Sequence, residues 1–114
     1  MVSTHNGPDF SVVCQPTGAL EWAEAVALRQ AIGKVLRPGI TLDIDLDQVE
    51  FVDSAGISTL VALVRRVRAA GGTAHIRNAG PPIRRRLEIL GVYHLLTDEA
   101  RPAGRTMSNG NDAA

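Results

Sequence analysis

A single cysteine, few aromatic residues and no excess of either charge set the first limits on this 114-residue chain. Cys14 has no second cysteine to pair with, so no disulfide staples the monomer. Set in the apolar run Val12-Val13-Cys14, it reads as a small buried hydrophobe, consistent with a reducing cytoplasm. Aromatic residues make up 4% of a sequence that is 45% apolar, so the core must be built from Val, Leu, Ile and Ala. Lys plus Arg equals Asp plus Glu at 12 each, which removes the broad basic field that drives non-specific nucleic-acid binding or attraction to an anionic membrane. No direct nucleic-acid partner is expected. No apolar stretch approaches the roughly 18 residues of a membrane span. Met1 to Phe10 has neither the basic region nor the apolar core of a secretion signal. The chain is therefore expected to be unexported, cytoplasmic and without membrane insertion.

What is present is an alternation of strand and helix patterns long enough for one domain. Phe10 to Gln15 reads as a strand closed by Pro16-Thr17-Gly18. Ala25, Leu28, Ile32 and Val35 recur at helical spacing between Trp22 and Leu36, and Pro38-Gly39 ends that helix. Ile40 to Leu46 alternates apolar and polar residues as a half-buried strand does, and Val49 to Val52 extends the sheet or forms its exit. Ile57, Leu60, Val61, Val64 and Val67 then form the stripe of a second helix, stopped by Gly71-Gly72, with Ser58, Ala62, Arg65 and Arg66 on its outer side. Thr73 to Arg77 is a further strand. Pro81-Pro82 opens a third helix carrying Ile83, Leu87 and Leu90, which Gly91 is placed to cap. Val92 to Leu96 is expected to add an edge strand. Such a pattern predicts an α/β layer fold, a mixed sheet of about four to five strands packed with α-helices. Residues 1–9 are expected to be a short N-terminal segment and 10–97 the domain. Residues 98–114, with no apolar period from Arg101 onward, are expected to be a disordered tail.

The informative stretch runs from Val49 to Ile57, where a sheet segment meets the start of the second helix. Asp53 and Ser54 are both good N-cap residues, whose side-chain oxygens accept bonds from the free amides of a first turn, so capping alone accounts for them. A helix start also tolerates an anion, because its unpaired amides and dipole favour negative charge. A phosphoserine at position 54 would be locally acceptable and would add roughly −1.5 to −2 charge beside Asp53.

The run Phe51-Val52-Asp53-Ser54-Ala55-Gly56-Ile57 resembles the signature of STAS domains in bacterial anti-sigma factor antagonists. Gly18-Ala19-Leu20-Glu21 is similar to the family's Gly-x-Leu-Asp turn, and Pro81-Pro82-Ile83 through Leu90-Gly91-Val92 to its last helix and exit. The resemblance covers roughly residues 10 to 97. It implies a single STAS domain in which Ser54 is phosphorylated by an anti-sigma factor that is also an ATP-using serine kinase. The unphosphorylated antagonist captures that factor and frees sigma; phosphorylation ends the capture, and a phosphatase resets it. By the same resemblance, partner-binding falls to Gly18, Leu20, Glu21, Asp53, Ser54, Ala55, Gly56 and Ser58, with Asp53 presenting the serine and Gly56 allowing close approach. Two positions depart from the family: Glu21 stands where it has Asp, and Pro8 interrupts the region of its extra first strand, which is expected to be brief or missing.

Other signals carry less. Arg84-Arg85-Arg86 fans around a helix and reads mainly as a solvated face. His5, His75 and His94 lack the spacing of a metal site. Gly71-Gly72 belongs to no phosphate-binding pattern, and Ser54 has no catalytic base evident beside it or the Gly-x-Ser-x-Gly setting of a hydrolase. No cofactor, metal or enzymatic activity is expected. Two further readings keep the same fold: an accessory subunit of a membrane transporter or a component of a stress-sensing scaffold, and a nucleotide-binding module.

Overall fold

The computed structural model of the chain describes residues 2–6 and 11–97. Its elements run β1 (Val2–Asn6), β2 (Ser11–Pro16), β3 (Gly18–Leu20), α1 (Trp22–Val35), β4 (Thr41–Asp45), β5 (Val49–Val52), α2 (Ser54–Ala69), β6 (Thr73–Arg77), α3 (Pro81–Ile89) and α4 (Tyr93–Thr97). The α/β reading is thus correct, with a mixed sheet at its centre. That sheet has the order β1-β2-β4-β6, and a second, two-stranded sheet joins β3 to β5. Only β1 is antiparallel; β2, β4 and β6 run parallel, with Val12 opposite Leu42 and Ile44 opposite Ile76.

Period-two alternation decides which face of the large sheet is covered. Val12, Cys14, Leu42, Ile44, Ala74 and Ile76 are buried on one side, while Val13, Gln15, Asp43, Asp45 and His75 are half-exposed on the other. Onto the buried side pack Leu28 and Ile32 of α1, Leu60, Val64 and Val67 of α2, Leu87 of α3 and Leu96 of α4. Each fully buried Leu or Ile contributes about 1.5–3 kcal/mol over an exposed one. Cys14 lies inside this core, and burial pushes its thiol up to about 12, leaving it protonated and unreactive at neutral pH.

Three features differ from the sequence expectations. The run Val92 to Leu96 is not an edge strand: Tyr93–Thr97 is a helical turn, with the Leu96 N–H donating to the Val92 carbonyl at 3.0 Å and the Thr97 hydroxyl to the Tyr93 carbonyl at 2.9 Å. Tyr93 and Leu96 are both buried, a spacing of three that a five-residue apolar run does not distinguish from strand alternation. The extra first strand is present as β1, paired with β2 from Val2 opposite Pro16 to Asn6 opposite Val12. Pro8 follows it in sequence and therefore removes no donor from its ladder. Gly18–Leu20 forms a strand of its own beyond the Pro16-Thr17 stop. The expected disordered tail lies outside the described residues.

One polar group anchors the turn that leads into β5. Asp45, at the end of β4, accepts from the Asp47 amide at 3.0 Å, the Asn78 side chain at 3.0 Å and the Gln15 side chain at 3.3 Å. The Asp47 amide acts most strongly on its carboxyl and, joined by Asn78, Arg77 and Gln15, holds it below the usual value against the opposing effect of burial.

Candidate functional site

The short sheet brings two strand-to-helix junctions side by side. Leu20 pairs with Val52 and Ala19 with Phe51, and one residue after each strand a helix begins, α1 at Trp22 and α2 at Ser54. Asp53 starts α2 as its N-cap: its backbone is extended, its Oδ1 accepts the Gly56 N–H at 2.8 Å, and its carbonyl accepts the Ile57 N–H at 3.0 Å. Its own N–H donates to the Leu20 carbonyl at 3.3 Å, tying the two junctions together. Further along, the helices are joined by Arg29 of α1, which donates to the buried Thr59 hydroxyl of α2 at 3.3 Å.

Because Asp53 takes the capping role, Ser54 does not. Ser54 is exposed in the first turn, and among the described residues no side chain hydrogen-bonds its hydroxyl. Ser58 is exposed one turn further on; Ala55 and Asp53 are half-buried. Gly56 is buried, and a Cβ there would strike the Leu20 carbonyl oxygen and lie 2.8 Å from Val52 Cγ1. Its missing side chain is therefore required by the packing of α2 on β3. Leu20 is likewise buried, at 1% exposure, so Leu20 and Gly56 are brought together beneath the surface. Gly18, with a φ of 80°, donates its N–H to the Gln48 carbonyl at 2.9 Å and fixes the start of the short sheet. Glu21 is exposed and occupies the N-cap of α1, but its side chain makes no capping bond.

Of the eight residues implicated by sequence, Glu21, Ser54 and Ser58 thus face solvent at one end of the short sheet, with the others supporting them. Sequence reasoning left out two aromatic residues at the same end. Trp22 is 70% exposed and Phe51 is 45% exposed, and the Arg86 guanidinium lies over the Phe51 ring at 5.7 Å. The helical period singles out Ala25, Leu28 and Ile32, which are buried, and gives no signal for Trp22. As the first helical residue it is exposed. The rest of the arginine run is partly engaged: Arg84 pairs with Glu88 at 3.2 Å and lies over Tyr93 at 4.8 Å, while Arg85 lines an open depression of about 720 Å³ with Pro81, Pro82 and Glu88. His75 lies 3.8 Å from Asp43, which Arg77 engages at 2.7 Å, and His94 packs edge-on against Tyr93. Among the described residues no helix is long and apolar enough to cross a membrane.

Comparison with known proteins identifies the architecture. A family model described as "Mlab, STAS domain" matches residues 8–97. An anti-sigma factor antagonist from Mycobacterium paratuberculosis is 31% identical, with a TM-score of 0.66 over 81% of this chain and 78% of that one. The phosphorylated form of SpoIIAA, a Bacillus cell fate determinant, is 18% identical with a TM-score of 0.70, covering 89% of this chain and 92% of that one. A sulfate transporter family protein from Wolinella succinogenes is 14% identical with a TM-score of 0.68, over 81% and 75% of the two chains. No curated protein matches the sequence.

Proposed function

The chain belongs to the STAS-domain family, and from that premise we propose that it is an anti-sigma factor antagonist controlled by phosphorylation of Ser54. Unphosphorylated, it binds an anti-sigma factor serine kinase in the cytoplasm and thereby frees a sigma factor. The observation that carries this reading is the division of labour at the α2 start: Asp53 caps the helix, and the neighbouring hydroxyl is left exposed and without a partner among the described residues. The anti-sigma antagonist at 31% identity supports the same direction.

The kinase supplies the catalysis. The Ser54 oxygen attacks the γ-phosphorus of ATP, the bond to the ADP oxygen breaks, and the hydroxyl proton passes to a base of the kinase. The product places roughly −1.5 to −2 charge at a helix N-terminus, where the dipole and the remaining first-turn amides tolerate it. The core beneath is untouched, so the fold persists while a partner surface fitted to a small hydroxyl meets bulk and an unpaired charge. A phosphatase that hydrolyses the phosphoserine restores binding.

The test uses the histidine-kinase-like anti-sigma factors of the source genome, each purified and incubated with the chain and ATP. Mass spectrometry is expected to find phosphate on Ser54 with one of them. Ser54→Ala is expected to bind that factor as the unmodified chain does, and Ser54→Asp to bind at least about tenfold more weakly, as an unpaired charge in an interface should. Phosphate confined to another residue, or full binding by Ser54→Asp, would overturn the assignment. A second reading, an accessory subunit of a membrane transporter, is favoured by the match to the transporter-family protein of Wolinella succinogenes. It predicts co-purification with an ATP-binding transporter subunit and no binding to any anti-sigma factor.

A further inference from the structure

The largest exposed apolar group at the candidate site belongs to no role assigned so far. Trp22 is the chain's only tryptophan and is 70% exposed. Single exposed apolar residues are ordinary on protein surfaces, but Trp22 is not isolated. It holds the place on the β3–α1 junction that Ser54 holds on the β5–α2 junction, each the first residue of its helix after strands paired at Leu20 and Val52. Phe51, three residues before Ser54 and also exposed, lies on the other junction strand. The two exposed aromatics therefore lie on the two paired junctions, one of which carries the serine.

The charges around them are divided. Glu21 and Glu24 accompany Trp22, and neither makes an ion pair among the described residues. On the other side Arg86 lies over the Phe51 ring. A protein that reaches the Ser54 hydroxyl approaches the end of the short sheet where both junctions lie, since Leu20 pairs with Val52 at their bases. We infer that Trp22 is the principal anchor of the serine kinase on this chain, seated in an apolar pocket rimmed by basic groups, with Phe51 as the lesser anchor facing an acidic one. Trp side chains buried in a partner's pocket are among the commonest centres of binding energy at interfaces, and complementary charge around them steers the encounter and fixes register. The inference rests on the antagonist reading and names the part of the surface that carries affinity rather than the switch.

The test titrates the chain with the anti-sigma factor that phosphorylates it, loaded with ADP so that no transfer occurs. The fluorescence of Trp22, the chain's sole indole, is expected to shift to the blue as it leaves water. Trp22→Ala is expected to weaken binding by at least about tenfold and Phe51→Ala by less, with circular dichroism and thermal unfolding of Trp22→Ala unchanged because the side chain lies outside the core. Binding by Trp22→Ala within about twofold of the unsubstituted chain, or an indole that stays solvent-exposed at saturation, would overturn the inference while leaving Ser54 phosphorylation intact. If no anti-sigma factor binds the unsubstituted chain, the antagonist reading fails and the inference with it.

Discussion

The β3–α1 and β5–α2 junctions share one plan and differ in what fills it. Each strand ends in a buried aliphatic residue, Leu20 or Val52, followed by an acidic N-cap and a helix start. In both, the carbonyl of the cap residue accepts the amide four residues on, Ala25 from Glu21 at 2.7 Å and Ile57 from Asp53 at 3.0 Å. Yet Asp53 caps with its side chain and Glu21 does not; position three of the helix is Gly56 in one and Glu24 in the other; and the first helical residue is Ser54 in one and Trp22 in the other. The β5–α2 junction is over-determined and holds a small hydroxyl steady. Its neighbour is held by the strand pairing and the helix behind it, and offers a large apolar group.

The largest contrast in stability should come from the third helical position. Gly56→Ala puts a methyl against the Leu20 carbonyl, a backbone atom with no freedom to turn away, so α2 must shift off β3. A loss of about 2–3 kcal/mol is expected in urea unfolding, as for an overpacked core. Glu24→Ala at the matching position should cost less than about 1 kcal/mol, the value of an acidic group near a helix start. Equal effects would mean that the junctions are not built differently after all.

Next comes the cap itself. Asp53→Ala removes the acceptor of the Gly56 amide and should cost about 1 kcal/mol. Glu21→Ala, which removes no capping bond, should change stability by no more than about 0.5 kcal/mol. Comparing the two urea midpoints measures the difference directly.

Much of the better-determined junction was legible in the sequence, and little of the other. Asp53-Ser54 ahead of the stripe Ile57, Leu60 and Val64 marks a helix start because capping chemistry and the 3.6-residue period act over a few neighbouring residues. The large sheet was legible for the same reason, through alternation in β4 and β6. The second sheet was not, since Gly18–Leu20 is three residues long and its partner Val49–Val52 is bulged opposite Gly18 and Ala19, too short and irregular to alternate. Nothing marked Trp22, because periodicity reports the phase of a helix and says nothing about the surroundings of its first residue. The contact of Arg86 with Phe51 joins elements separated by most of two helices and a strand, and no local pattern encodes it. The phosphoacceptor role proposed for Ser54 was legible only through family resemblance, since capping alone accounts for an Asp-Ser pair at a helix start.

The turns that feed the two junctions also differ. β3 is reached through Pro16-Thr17, whereas β5 follows a turn held by the Asp45 carboxylate. Since the folded state lowers the carboxyl pKa of Asp45, its contribution is present above the ordinary value of 3.8 and is lost as pH falls through the lower folded value. Asp45→Asn should therefore flatten the part of the stability profile below about pH 4. At neutral pH its cost should stay under about 1 kcal/mol, because the amide oxygen can still accept from the Asp47 N–H. Urea unfolding across that pH range, with Asp45→Asn beside the unsubstituted chain, reads both effects.

The smallest effect tests whether the weaker junction can be made like the stronger one. Glu21 has an extended N-cap backbone, with φ −104° and ψ −169°, close to the φ −93° and ψ −176° of Asp53. The backbone is thus ready for a cap, and the two cap residues differ by one methylene in the side chain. Glu21→Asp should bring a carboxylate oxygen within reach of the Glu24 amide and stabilise the fold by about 0.5 kcal/mol. A small rise in urea midpoint with unchanged slope would show that the difference between the junctions at this position lies in side-chain length alone. No rise would show that neighbouring side chains, Glu24 with its like charge or Trp22 with its bulk, keep the carboxylate from turning inward.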